Sequence, residues 1–166
     1  MLTELHVENL GIIDDATVDV GPGLTTVTGE TGAGKTLLVV ALGLIAGSRA
    51  DASVVRSGAD EARVEARFEF DPGESGPSGA IDLRDEPSSD ESSGGELVLA
   101  RVVAAEGRSR AYMNGRLVTA AQLAETVEDL IVHHGQHTHQ ALLHAASQRR
   151  ALDDFAGEQA HAARGE

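Results

Sequence analysis

Residues 29–36, GETGAGKT, constrain this 166-residue chain more than any other stretch. Glycine, four free positions and then Gly-Lys-Thr is the spacing of a loop that wraps a polyphosphate with its backbone N–H groups. A Cβ at Gly29, Gly32 or Gly34 would obstruct either the turn or the close approach of the ligand. Glu30, Thr31 and Ala33 complete the cradle through their backbone. Lys35 is placed to reach the β- and γ-phosphates, and the Thr36 hydroxyl is placed to ligate Mg²⁺. The chain holds twelve arginines and one lysine, and that lysine is Lys35. A compact ammonium has been kept where a point charge suits phosphate, while guanidinium serves elsewhere.

Such a loop works only with a strand feeding it and a helix leaving it. Residues 24–28 (LTTVT) form a short β-prone run. Residues 36–46 (TLLVVALGLIA) are apolar nearly all round, as a helix buried against a sheet is, and Gly47 follows as the C-cap. The helix N-terminus then directs its dipole and its free N–H groups at the phosphates.

The rest of the chain reads mostly as strands. Leu5 and Val7 alternate with polar neighbours, residues 9–11 break the run, and residues 16–20 follow before a Gly-Pro-Gly turn. In residues 62–70 (ARVEARFEF), Val64, Ala66, Phe68 and Phe70 share one face, which predicts a half-buried antiparallel strand. Residues 96–105 predict another strand, and residues 110–118 a hairpin turning at Asn114-Gly115. Thr119 is a good N-cap for a helix over residues 120–130, with Leu123, Val127 and Leu130 on one face. The division read from this order is residues 1–70 (β-layer, phosphate loop, helix and first subdomain strand), an acidic insertion over 71–95 rich in Gly, Pro and Ser, residues 96–145, and a helix beginning over 146–166.

Composition narrows the classes further. A formal net charge of -14 argues against a basic nucleic-acid footprint on this segment taken alone. The chain has no cysteine, which removes disulfides, thiolate catalysis and Cys-ligated zinc and fits a cytoplasmic protein. Residues 37–46, the longest apolar run, are too short to span a bilayer, and Met1 leads straight into a strand-like pattern with no signal peptide, so no membrane role is expected.

Several stretches carry a more specific likeness: residues 9–14 (NLGIID), the loop within GPGLTTVTGETGAGKT, residues 41–44 (ALGL), 47–50 (GSRA), 55–58 (VRSG), 107–116 (GRSRAYMNGR) and 134–137 (HGQH). Together they resemble the N-terminal part of the head of structural-maintenance-of-chromosomes-type ATPases of bacterial DNA repair. The likeness covers residues 2–155 apart from the acidic insertion. It implies an α/β fold: the N-terminal lobe of a P-loop NTPase head of the ATP-binding-cassette type, with an antiparallel β-subdomain, incomplete as a domain. It implies ATP and Mg²⁺ as ligands and places Gln136 where the family's glutamine contacts Mg²⁺ and helps position the attacking water. A neutral amide suits that role. Arg49 falls where related heads carry an arginine near nucleotide or DNA, with a plain surface arginine at a helix end as the equal alternative.

A complete head of this kind also needs a signature loop, an acidic strand end as general base and a His switch, and none follows Gln136 here. The resemblance therefore implies that this lobe alone binds nucleotide poorly and hydrolyses almost none. The implied partners are a second head lobe, a paired head in a homodimer that sandwiches ATP, and DNA, in a cytoplasmic, nucleoid-associated protein. The rival readings are a non-catalytic nucleotide-binding or interaction module, a small phosphotransferase, and a transporter ATPase.

Three signals invite misreading. Residues 92–96 (SSGGE) look like the family's signature loop, but they open a β-rich run, whereas that loop must open a helix whose N-terminus meets the phosphate. His133, His134, His137, His139 and His144 crowd one segment without the converging ligand set a metal requires. Arg108, Arg110 and Arg116 form a modest basic patch on the hairpin, most simply explained by salt bridges within so acidic a chain.

Overall fold

The computed structural model describes residues 1–30, 32, 34–71, 95–128 and 130–131, all within one compact unit, Met1–Ile131. Six strands form a single antiparallel sheet: β1 (Leu2–Leu10), β2 (Ile13–Asp19), β3 (Glu61–Glu69), β4 (Glu96–Ala104), β5 (Arg110–Met113) and β6 (Arg116–Val118), in the order β2-β1-β3-β4-β5-β6. Helix α1 (Lys35–Ile45) and helix α2 (Ala120–Glu128) pack on one face, and a short 3₁₀ turn covers Ala52–Val54.

Period-two patterning sets the buried face. Val64, Ala66 and Phe68 of β3 point inward, opposite Arg101, Leu99 and Leu97 of β4. With three Phe and no Trp available, Leu, Val, Ile and Ala fill the space between sheet and helices, and Phe68 is the largest fully buried side chain. In β1 the inward set runs Leu5, Val7 and then Leu10. The alternation slips by one residue at Asn9, whose φ of 52° lies in the left-handed region that Asn tolerates.

The opposite face is polar and laced with ion pairs, Arg63 to Glu65 at 2.8 Å, Arg110 to Glu61 at 2.5 Å and Arg67 to Glu96 among them. These are solvent-exposed, so each adds about 1 kcal/mol or less. The Arg110 pair matches the internal salt bridging read from the hairpin arginines. That hairpin turns at Asn114-Gly115, both at positive φ, and the Asn114 side chain accepts from the Val98 N–H at 2.7 Å.

Both helices are bounded by local chemistry. Thr119 caps α2: its Oγ1 accepts from the Gln122 N–H at 3.1 Å while Gln122 Oε1 accepts from the Thr119 N–H at 2.9 Å, a reciprocal capping box. At the end of α1 the Gly47 N–H bonds Leu44 O at 3.2 Å and the Ser48 N–H bonds Gly43 O at 2.9 Å, with Gly47 at φ 81°. This left-handed closure satisfies two otherwise orphaned carbonyls.

One buried group runs against the pattern. Arg101 lies on the inner face of β4 between Val64 and Ala111, is 5% exposed, and donates to Ser109 Oγ at 3.0 Å, while its Nε has no partner among the described residues. Burial pushes the guanidinium pKa below its ordinary value. Because no carboxylate faces it among the described residues, an apolar side chain of similar length fits better. We expect Arg101→Met to raise stability by about 1 kcal/mol or more in chemical denaturation.

Two expectations from the sequence meet the structure differently. Residues 24–28 join no ladder among the described residues, with Leu24 94% and Val27 51% exposed. This β-prone stretch pairs with neither edge of the six-stranded sheet, β2 or β6, so no ladder supplies its backbone hydrogen bonds. The early strand is β2 from Ile13, which begins before the stretch read from the sequence because Leu10–Ile13 pairing closes the turn tightly. Residues 72–94 of the acidic insertion, Gln136 and the histidine segment lie outside the described residues. The insertion leaves β3 and enters β4 at adjacent points, since the Phe70 N–H bonds Gly95 O at 2.9 Å.

Candidate nucleotide site

The N-terminus of α1 is open, with neither a side-chain cap nor an acidic residue in its first turn. Gly34 is the N-cap at φ 91°. The Leu37 and Leu38 N–H groups return to Gly34 O at 2.9 and 3.2 Å, which leaves the N–H groups of Lys35 and Thr36 at the open end of the helix. An uncapped, uncompensated helix start directs a partial positive charge outward.

Three requirements for glycine are separable here. Gly32, at φ 88°, has nothing near the position of a Cβ, so its constraint is backbone conformation alone. Gly34 combines a φ of 91° with a Cβ position 3.4 Å from Ile13 Cγ1. Gly11, at φ 57°, sits against Leu37, with the Cβ position 2.8 Å from Leu37 Cδ1. The β1–β2 turn and the start of α1 are thus packed together on both sides of the loop.

Lys35 Nζ donates to the carbonyls of Gly29 and Glu30, each at 2.5 Å. The ammonium spans the mouth of the loop and holds its two ends together. Thr36 is exposed beside it, and a cavity of about 280 Å³ is lined by Ile12, Gly32, Gly34, Lys35, Thr36 and Leu37. Of the residues read as site residues, Gly29, Glu30, Gly32, Gly34, Lys35 and Thr36 are brought together, whereas Thr31, Ala33 and Gln136 lie outside the described residues. The set fits Mg²⁺ and a polyphosphate: N–H groups at the open helix end, one ammonium, one exposed hydroxyl and no carboxylate in the first turn to repel the ligand.

Ile12 escaped the sequence reading. It is 62% exposed on the β1–β2 turn, and only the packing of that turn against α1 brings it to the cavity. The break at Asn9-Leu10-Gly11 was the sole hint of a turn there. Arg49 is exposed at the end of α1, where its charge, after hydrogen bonds from Ser53, helps hold the Asp51 carboxyl below the usual range. His6 Nε2 lies 3.4 Å from Asp15 on the outer face, an ion pair when the ring is protonated, and no helix among the described residues is long and apolar enough to cross a membrane.

A family model described as an AAA domain matches residues 4–159. The chain belongs to that family. Among its relatives, DNA repair protein RecN of Streptomyces coelicolor is 48% identical over 154 residues, 93% of this chain and 26% of the relative. RecN of Mycobacterium tuberculosis is 43% identical over 157 residues, 94% of this chain and 27% of the relative. This AAA domain chain therefore spans about a quarter of the length of the relatives it matches. Among solved structures, one described as concerning ATP-driven dimerization and DNA-stimulated activation of SMC ATPases aligns over 93% of this chain and 98% of its own, at TM-score 0.58 and 20% identity. The SMC head domain from Thermotoga maritima aligns over 74% of this chain and 40% of its own, at TM-score 0.52 and 19% identity. The AAA domain described here thus has the fold of the N-terminal lobe of an SMC-type head.

Proposed function

We propose that this chain is the ATP-binding N-terminal lobe of a RecN-like ATPase that acts in DNA double-strand-break repair, and that ATP turnover requires a second lobe. The observation that carries the reading is the phosphate-type loop at the start of α1 beside an upstream stretch, residues 24–28, that is exposed and joins no ladder. Lys35, Thr36 and the glycines stand ready at the start of α1, while Leu24 and Val27 just upstream remain exposed. Apolar side chains left open beside a ligand site are what a further layer of the head would cover.

In this reading the Gly32 and Gly34 backbone and the N–H groups of Lys35 and Thr36 orient the phosphates, and the Lys35 ammonium exchanges the Gly29 and Glu30 carbonyls for phosphate oxygens. Thr36, together with Gln136, would hold Mg²⁺, which when bound neutralises charge across the β- and γ-phosphates. Gln136 orients the attacking water. A paired head in a homodimer completes the site from the other side, DNA is bound by the whole protein, and the location is the cytoplasm at the nucleoid. The kinship with RecN and the SMC-type fold support these assignments.

The alternative is a nucleotide-binding or interaction module without turnover, favoured by the chain's spanning only about a quarter of the relatives' length. ATP hydrolysis decides between them. We expect no measurable turnover by the chain alone, and turnover when the C-terminal lobe of the S. coelicolor relative is supplied in trans. Turnover by the chain alone at an ordinary enzymatic rate would refute the split-head reading. Binding without turnover in any combination would favour the module.

A further inference from the structure

We propose that His6, Glu8 and Asp15 form a site for a divalent transition-metal ion of the Zn²⁺ type, which would clip β1 to β2 on the sheet face turned away from the helices.

The period of the two strands brings the three side chains together. In β1, Leu5 and Val7 point into the core, so His6 and Glu8 share the outer face. In β2, Asp15 stands directly opposite Glu8 in the antiparallel register. His6 Nε2 lies 3.4 Å from Asp15 Oδ2 and 3.9 Å from Glu8 Oε1, and one ligand atom from each of the three residues lies within 4.8 Å of the other two. Donor atoms bound to a tetrahedral Zn²⁺ stand about 3.4 Å apart. His6 and Asp15 already have that spacing, and a small rotation of the Glu8 side chain reaches it.

Three lone-pair donors that converge need a cation to share. The imidazole sets this group apart from a patch of carboxylates: nitrogen beside two carboxylate oxygens selects first-row transition metals over Mg²⁺ and Ca²⁺, which take oxygen ligands. The guanidinium across from Glu8 does not take that part, because Arg63 of β3 is turned to Glu65, which it bonds at 2.8 Å. The imidazole is 28% exposed and the Asp15 side chain 68%, so a bound ion would complete its shell with water on the Asp15 side. A formal charge of -14 over the chain favours cations at its surface. The consequence follows from topology. β2 is an edge strand, paired in the sheet with β1 alone, and an ion held by both strands stabilises that pairing as any ligand of the folded state does.

Titration of the isotopically labelled chain with ZnCl₂ alone, followed through its backbone amides, tests the site, and the metal-free spectrum of each variant reports its folding. We expect saturable shifts at His6, Glu8 and Asp15, and none there with Mg²⁺ at the same concentration. His6→Ala should abolish these shifts whatever the other histidines bind. Asp15→Asn and Glu8→Gln, isosteric changes on the solvent face, should each weaken Zn²⁺ at least about ten-fold. At a hundred-fold excess of Zn²⁺ over its Kd, the chain should gain about 5 °C more in melting temperature than His6→Ala does. Zn²⁺ shifts confined to residues 133–144 would overturn the proposal by placing the metal on the other histidines. Shifts at His6 that Asp15→Asn and Glu8→Gln leave at full affinity would overturn it too, reducing the site to a lone surface imidazole. So would no response at His6, which leaves a proton as the only cation the group holds.

Discussion

Gly47→Ala is expected to destabilise the chain by about 3 kcal/mol and to lower its melting temperature by about 10 °C. The position of a Cβ at Gly47 is 2.4 Å from Ala124 Cβ and 3.1 Å from both Ala124 Cα and Ala120 O. Two of those neighbours are backbone atoms of α2, so no side-chain rotation relieves the clash. Either α1 and α2 separate or the left-handed closure at φ 81° is lost, and the start of α2 sits directly on this contact. Gly58→Ala makes the comparison informative. Gly58 has φ 89° but nothing within 4 Å of its Cβ position, so only the conformational cost remains, about 1 kcal/mol. Thermal unfolding of the two variants should differ by the steric term. Equal losses would mean that the helix contact adds nothing beyond backbone conformation.

The second large effect is on ligand affinity. Lys35→Ala should weaken Mg·ATP at least about 100-fold, the scale of a charge-assisted contact to phosphate in a confined site. Its fold should survive, because among the described residues the Lys35 ammonium bonds the carbonyls of Gly29 and Glu30, which water can satisfy at this exposed position. Lys35→Arg should not restore affinity, since the planar guanidinium is too broad for a mouth spanned by one ammonium. Calorimetric titration beside a melting curve checks both statements. Retained affinity in Lys35→Ala would remove the phosphate contact from the account.

What could be read in advance was whatever depends on local pattern. The alternation of residues 62–70, the Asn114-Gly115 turn and the Thr119 cap are each set within a few residues, and each forms as read. The exception among local signals is residues 24–28. Their β propensity is real, but a strand exists only with a neighbour, and Leu24 and Val27 stand exposed without one. Long-range placement was hidden for a related reason. Ile12 reaches the loop because a tight turn from Leu10 to Ile13 packs on α1, and Arg56 reaches Ile12 from a segment far along the chain. Nothing in the residue types of Ile12 or Arg56 announces either contact. Arg101 is the opposite case, a guanidinium at an inward position of a strand whose pattern would predict an aliphatic side chain.

In the proposed function, residues 29–36 bind the phosphates of Mg·ATP at the start of α1. Titration of the isotopically labelled chain with Mg·ATP, followed through its backbone amides, tests it most directly. The account predicts saturable shifts concentrated at Gly29, Gly32, Gly34, Lys35 and Thr36, with a smaller response at Ile12, and none on the outer sheet face around Arg63 and Tyr112. Shifts centred on that outer face, or no response at Lys35 and Thr36 at millimolar nucleotide, would contradict it.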